Sequence, residues 1–259
     1  MTDKKEALLE VSGIKKEYKE KGLFNKNTKR VLNGVSFTLE KGKCLGIIGE
    51  SGSGKSTLGR IITGIEKPTK GTVKFYGKDI HSKENKSMCQ NMSIVFQNYT
   101  DSVNPGFTVA DIIAEPLIVG NGMKKSQIVD ELKELIEAVG LTEEFLGRYP
   151  HQLSGGQLQR VCIARSIANK PEFLMLDEAV SSLDVSTQVE VLNLLKKLKD
   201  EYDLSYIFVT HDLLTITYIC DSIIFFKDGM IEEKIDDIND MGKIEKDYSK
   251  RLLNAVIEF

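Results

Sequence analysis

The sequence has no long apolar run. Its most apolar stretches, such as Phe173-Leu174-Met175-Leu176 and Ile223-Ile224-Phe225-Phe226, are short, whereas a membrane-spanning helix needs about 20 mostly apolar residues. A spanning helix is therefore not expected. No apolar signal core follows Met1-Thr2-Asp3-Lys4-Lys5-Glu6, so secretion is not expected either. Cysteine is scarce: Cys44, Cys89, Cys162 and Cys220 are widely spaced and form no Cys-x-x-Cys pair. That pattern predicts buried free thiols in a reducing compartment rather than disulfides or a metal cage. Neither sign of charge dominates. Lys plus Arg is 35 and Asp plus Glu is 38, for a net charge of −3, which argues against a whole-surface nucleic-acid binder. Tandem repeats and low-complexity segments are absent.

What remains is an ordinary globular composition. The 259 residues are 41% hydrophobic and 28% charged, enough for one or two domains with a real core. The N-terminal third reads as strands, at Leu8–Val11, Val35–Leu39, Cys44–Ile48 and Thr72–Tyr76, with Lys19 to Arg30 as a polar hairpin loop. From about Val109 to Ala168 the pattern turns helical. Ile128, Leu132, Leu135, Ile136 and Val139 recur at helical spacing before Gly140, and Gln157–Ala168 reads as a second helix. After Phe173–Leu176, strands and helices alternate, which predicts a parallel sheet. Glu232 to Lys250 reads as a charged, exposed stretch, and Tyr248–Phe259 as a closing helix.

Gly49-Glu50-Ser51-Gly52-Ser53-Gly54-Lys55-Ser56-Thr57 fits the phosphate-loop pattern, between a predicted strand and a predicted helix. Glycines let successive N–H groups turn toward an anion, and the helix start adds partial positive charge. Lys55 is suited to β- and γ-phosphate oxygens and the Ser56 hydroxyl to Mg²⁺. A Gly/Ser-rich turn with an exposed lysine is the bland alternative.

Three further polar sets follow predicted strands: Gln97 after Ser93–Phe96, Asp177-Glu178 after Phe173–Leu176, and His211-Asp212 after Tyr206–Thr210. Ligands of open parallel sheets bind beyond the carboxyl ends of the strands. By role, Asp177 suits Mg²⁺, Glu178 suits orienting or deprotonating an attacking water, Gln97 suits water or metal, and His211 suits the γ-phosphate. Taken singly, the acids also read as turn caps and Gln97 as a surface side chain, while His81 and His151 read as structural.

Leu153-Ser154-Gly155-Gly156-Gln157 resembles the signature sequence of ATP-binding cassette (ABC) ATPases, the motor subunits of ABC transporters. The phosphate loop, Gln97 as Q-loop, Asp177-Glu178 as the Walker B pair, Ser181-Ser182-Leu183-Asp184 as D-loop and His211 as switch histidine agree in order over roughly residues 7 to 235. The resemblance implies an α/β fold, a P-loop NTPase cassette with a RecA-like parallel sheet core, an N-terminal antiparallel β subdomain and a helical subdomain. It implies one domain over 1–259, with a core at 1–96 and 166–235, a helical subdomain with the signature at 97–165, and an extension at 236–259. ATP and Mg²⁺ are the implied ligands. Glu178, His211 and Gln97 would be catalytic; Ser56, Gln97 and Asp177 would face the metal; Leu153 to Gln157 would cover the ATP of a second cassette. Tyr18, with Phe24 behind it, is the candidate for stacking on adenine, though a packed tyrosine reads nearly as well.

The implied partners are a second cassette (a paralogue or a second copy), two transmembrane permease subunits and an extracytoplasmic binding protein, at the cytoplasmic face of the membrane, without nucleic acid. Gly49–Gly54, Ser102-Val103-Asn104-Pro105 and Thr187-Gln188 resemble the peptide and nickel importer group. Asn98-Tyr99 and Ser182 depart from the group's usual residues. The short tail after Tyr248 points toward nickel or a metallophore, with oligopeptides next. An ATPase acting on nucleic acid or ribosomes is the rival of a different class.

Overall fold

The computed structural model describes residues 7–19 and 28–257. Two long N-terminal strands, β1 (Ala7–Lys19) and β2 (Thr28–Glu40), pair antiparallel. β4 (Lys70–Phe75) adds to the other edge of β1, and the short β5 (Lys78–Asp79) follows it, giving the order β2-β1-β4-β5. Along β2 the buried residues Val35, Phe37 and Leu39 alternate with the exposed Gly34, Ser36 and Thr38, as expected for a sheet covered on one face. The strands run further than the apolar pattern suggested. Lys19 ends β1 and Thr28–Arg30 open β2, so both ends of the segment read as a loop are strand. Backbone pairing such as Tyr18 with Lys29 needs no apolar side chain, and alternation could not report it.

The chain divides into two compact units, Met1–Cys89 with Ser205–Phe259, and Gln90–Leu204. In the first, β3 (Cys44–Ile48) lies parallel to both β8 (Ser205–Thr210) and β9 (Ser222–Lys227), and β10 (Met230–Ile235) returns antiparallel on β9. Every residue of β3 and β8 is buried, which is why both read as unbroken apolar runs. α1 (Lys55–Ile62) follows β3, and α6 (Leu213–Ile219) packs on β3 and β8. A Cβ at Gly46 would lie 2.6 Å from Ile216 Cδ1, so α6 sits directly on the β3 backbone. Ile216 is fully buried, and its truncation to alanine costs about 2–5 kcal/mol.

In the second unit, β6 (Met92–Val95) runs parallel to β7 (Phe173–Asp177). α4 (Gly155–Ile167) packs against α2 (Val109–Asn121), α3 (Val129–Ala138) and α5 (Val185–Glu201). α2 begins with a Thr108–Asp111 capping box and stops at Gly122 in a left-handed turn.

The segment from Glu232 to Lys250 is not simply exposed. Glu232–Ile235 belongs to β10, and Ile235, Ile244, Tyr248 and Ser249 are buried. α7 (Asp247–Ile257) packs against α6 and β10, and these few apolar anchors suffice amid many charges. Cys89 is only half-buried, while the other cysteines are buried. Cys44 and Cys220 bring their sulfurs within 3.4 Å. Among the described residues, no helix is long and apolar enough to cross a membrane.

Candidate functional site

β3 delivers the chain into the glycine-rich loop. A Cβ at Gly49 would stand 2.0 Å from the carbonyl oxygen of Phe226, so only glycine fits there. Gly54, with φ 107°, is the N-cap of α1, and no side chain caps that helix. Ser51 and Gly52 form the exposed bend, while Ser53 and Thr57 are buried. Lys55 is 5% exposed. Its Nζ donates to the carbonyls of Gly49 at 2.7 Å and Glu50 at 2.8 Å. A cation, a left-handed glycine and a helix start with Ser56 and Thr57 in its first turn are thus brought together, the arrangement that anions prefer.

β8 ends one residue before His211, and its register to β3 pairs Ile48 with Thr210. The phosphate loop and His211 therefore leave adjacent parallel strands at the same sheet edge. His211 is exposed, and the next residue, Asp212, caps α6 by accepting from Leu214 N–H at 2.9 Å.

The second unit repeats this logic. Val95 pairs with Leu176, so Gln97 and Glu178, each two residues on, emerge side by side. Gln97 Nε2 donates to Glu178 Oε2 at 2.8 Å. Asp177 is the last residue of β7 and is 6% exposed. Glu178 takes φ +48°, a left-handed backbone uncommon for a side chain of this size and frequent at functional positions. Its carbonyl accepts from the Ser181 N–H at 3.2 Å and hydroxyl at 2.9 Å, folding the chain back toward Asp184.

Asp184 caps α5. Hydrogen bonds from the Ser186 hydroxyl, then the Thr187 N–H and hydroxyl, hold its carboxyl far below the usual carboxylate range. Leu153 precedes the N-cap of α4, Ser154, whose Oγ accepts from Gln157 N–H at 3.3 Å. Gln157 Oε1 accepts from Ser154 N–H at 3.0 Å, completing a capping box. Gly155 and Gly156 open the helix.

Tyr18 lies near the end of β1, and its hydroxyl donates to Glu66 Oε2 at 2.9 Å. Lys16 Nζ lies 5.2 Å from the ring centroid. Glu66 also meets Lys16 at 2.9 Å and Arg60 at 3.2 Å, and Arg60 donates to Thr57 Oγ1 at 3.2 Å. Tyr18 is thereby wired to the first turn of α1. Burial would raise the Glu66 carboxyl, but bonds from Lys16, Tyr18 and Arg60 outweigh it and hold the group below its ordinary value. Phe24 lies outside the described residues. Sequence reasoning missed Glu66, Arg60 and Tyr248, the last of which touches the phosphate loop through its hydroxyl. No motif announces them, because tertiary packing alone makes them neighbours.

The model of the ABC transporter family matches residues 32–181, more than half of the chain. The chain belongs to the ABC transporter family. The cassette is 40% identical over 252 residues to the metal-staphylopine import system ATP-binding protein CntF of Staphylococcus aureus, covering 97% of this chain and 100% of that relative. It is 42% identical over 253 residues to the dipeptide transport ATP-binding protein DppF of Haemophilus influenzae, covering 96% and 77% respectively. The fold matches a dimeric ATP-binding cassette in a post-hydrolysis state bound to ADP and Pi. The TM-score is 0.77 at 31% identity, over 87% of this chain and 97% of that one. The cassette is thus an importer's ATP-binding subunit, an ATPase coupled to transmembrane transport. The expected cassette fold is the one found.

Proposed function

We propose that the cassette powers import of nickel or a metal chelate, and that the residues above divide the work of ATP hydrolysis. The observation that carries the cargo reading is the similarity to the metal-staphylopine import subunit, which extends over all of that relative. Lys55 and the backbone of Gly49, Ser51, Gly52, Ser53, Gly54, Ser56 and Thr57 bind the triphosphate, and Tyr18 stacks on adenine with its hydroxyl anchored at Glu66. Glu178, oriented by the amide of Gln97, takes the proton of the attacking water. His211 donates to the γ-phosphate. Ser154 to Gln157, after Leu153, close over the ATP of a partner cassette, and Asp184 holds the adjoining loop.

The oxygen donors Ser56, Asp177 and Gln97 suit magnesium, a hard cation that uses few protein ligands and completes its shell with phosphate and water. Bound there, it neutralises charge on the β- and γ-phosphates. The subunit works at the cytoplasmic face of the membrane, against two permease subunits served by a binding protein, and pairs with a paralogue or a second copy.

The test is ATP-dependent uptake in vesicles carrying the cassette with its co-purifying permeases. Uptake of radioactive nickel, free or chelated, is expected, and uptake of peptides alone would overturn the cargo reading. Dipeptide import is the second reading, favoured by the 42% identity to the dipeptide transport subunit.

A further inference from the structure

Tyr248 lies in the first turn of α7 and is 3% exposed. Its partner, Glu50, is 198 residues earlier in the chain. The tyrosine hydroxyl accepts from the Glu50 N–H at 3.2 Å and donates to the Phe226 carbonyl at 3.3 Å. That same carbonyl is the atom that forbids a side chain at position 49. The end of β9, the first peptide of the phosphate loop and the C-terminal helix therefore meet at one oxygen. The peptide between Gly49 and Glu50 is held at both of its polar ends. Tyr248 takes its N–H, and Lys55 Nζ takes its C=O at 2.7 Å. A lysine that turns toward phosphate oxygens releases the carbonyl, and the tyrosine restraint persists. Burial pushes the Tyr248 phenol up, so at neutral pH it keeps the proton it needs to donate and accept at once.

We propose that Tyr248 is a positioning residue of the phosphate loop: its hydroxyl fixes the Gly49–Glu50 peptide, and through it the C-terminal helix sets the affinity for MgATP. This rests on the reading that the loop binds the triphosphate. The tyrosine touches no substrate. It removes the loss of loop freedom that binding otherwise costs, because a preorganised site spends less of its interaction energy on ordering.

Tyr248→Phe in the full-length chain deletes one oxygen and leaves the ring buried. A fluorescent ATP analogue with Mg²⁺ should bind about fivefold more weakly, as expected for one lost neutral hydrogen bond. In ATPase assays KM should rise in parallel while kcat holds. Hydrogen exchange at the Glu50 amide should quicken. Ile244→Val, which thins the buried packing before α7 and spares the hydroxyl, should keep the wild-type Kd even where it lowers the unfolding temperature. A lowered unfolding temperature in Tyr248→Phe with unchanged Kd and unchanged Glu50 exchange would overturn the inference. Lys55→Ala, measured alongside, separates the two levels. Weakened binding there, beside a wild-type Kd in Tyr248→Phe, sinks the tyrosine's role alone. Wild-type binding in both variants sinks the phosphate-loop reading with it.

Discussion

The starts of α1 and α4 use nearly the same residue types and leave their backbone donors in different states. α1 is entered through Gly54 at φ 107° and carries no side-chain cap, and Lys55 is folded into its loop. α4 is entered through Ser154, whose hydroxyl and partner Gln157 close a capping box, and its first turn carries no charge of its own. Glycine and serine therefore do not by themselves mark a ready anion site. The first helix start supplies a cation and an N-cap glycine that places no side chain over the helix end. In the second, the serine hydroxyl already takes the Gln157 N–H. On the division of labour proposed above, the first tip would bind nucleotide unaided, while the second would engage nucleotide already held by a partner cassette.

The strongest challenge to that division is Glu178→Gln, which removes the proposed base and leaves both helix starts intact. Turnover should fall by about 100-fold or more, while ATP-bound dimers accumulate on size exclusion. Normal turnover would remove Glu178 from its role. Lys55→Ala strikes the first tip alone and should raise the Kd for MgATP about tenfold or more, as expected for losing a charged hydrogen-bond donor. Ser154→Ala strikes the second and should cost about 1 kcal/mol of stability through the lost cap. It should also slow hydrolysis while leaving nucleotide binding by the isolated subunit unchanged. Equal losses of monomer affinity in both variants would erase the distinction between the tips.

The smallest effect concerns the brace behind α1. Because the folded Glu66 carboxyl lies below its ordinary value, its contribution to stability is full above about pH 4.3 and fades as pH falls through the folded value. The unfolding temperature of Glu66→Gln should lie below wild type at pH 7, and the gap should close in acid. A gap that widens there would reverse the sign.

The phosphate loop, the signature and the strands β3, β7 and β8 were legible because each writes a local requirement into consecutive residues. A turn pressed on a carbonyl, as at Gly49, demands glycine, and a strand buried on both faces demands an unbroken apolar run. The capping box at Ser154 and Gln157 is equally local. The lengths of β1 and β2 were not legible, since their outer halves are held by backbone pairing under charged side chains. Nor was the burial within Glu232 to Lys250, where Ile235, Ile244 and Tyr248 are too sparse to form a period.

The order of the motifs along the chain determined the family and the reaction, because short-range backbone geometry constrains which residues can stand at each motif. Folding alone decided that Gln97 meets Glu178 across β6 and β7, that Tyr18 is tied through Glu66 and Arg60 to Thr57, and that the Tyr248 hydroxyl reaches Glu50. Such meetings depend on strand register and helix packing over long separations, and no spacing in the linear chain encodes them.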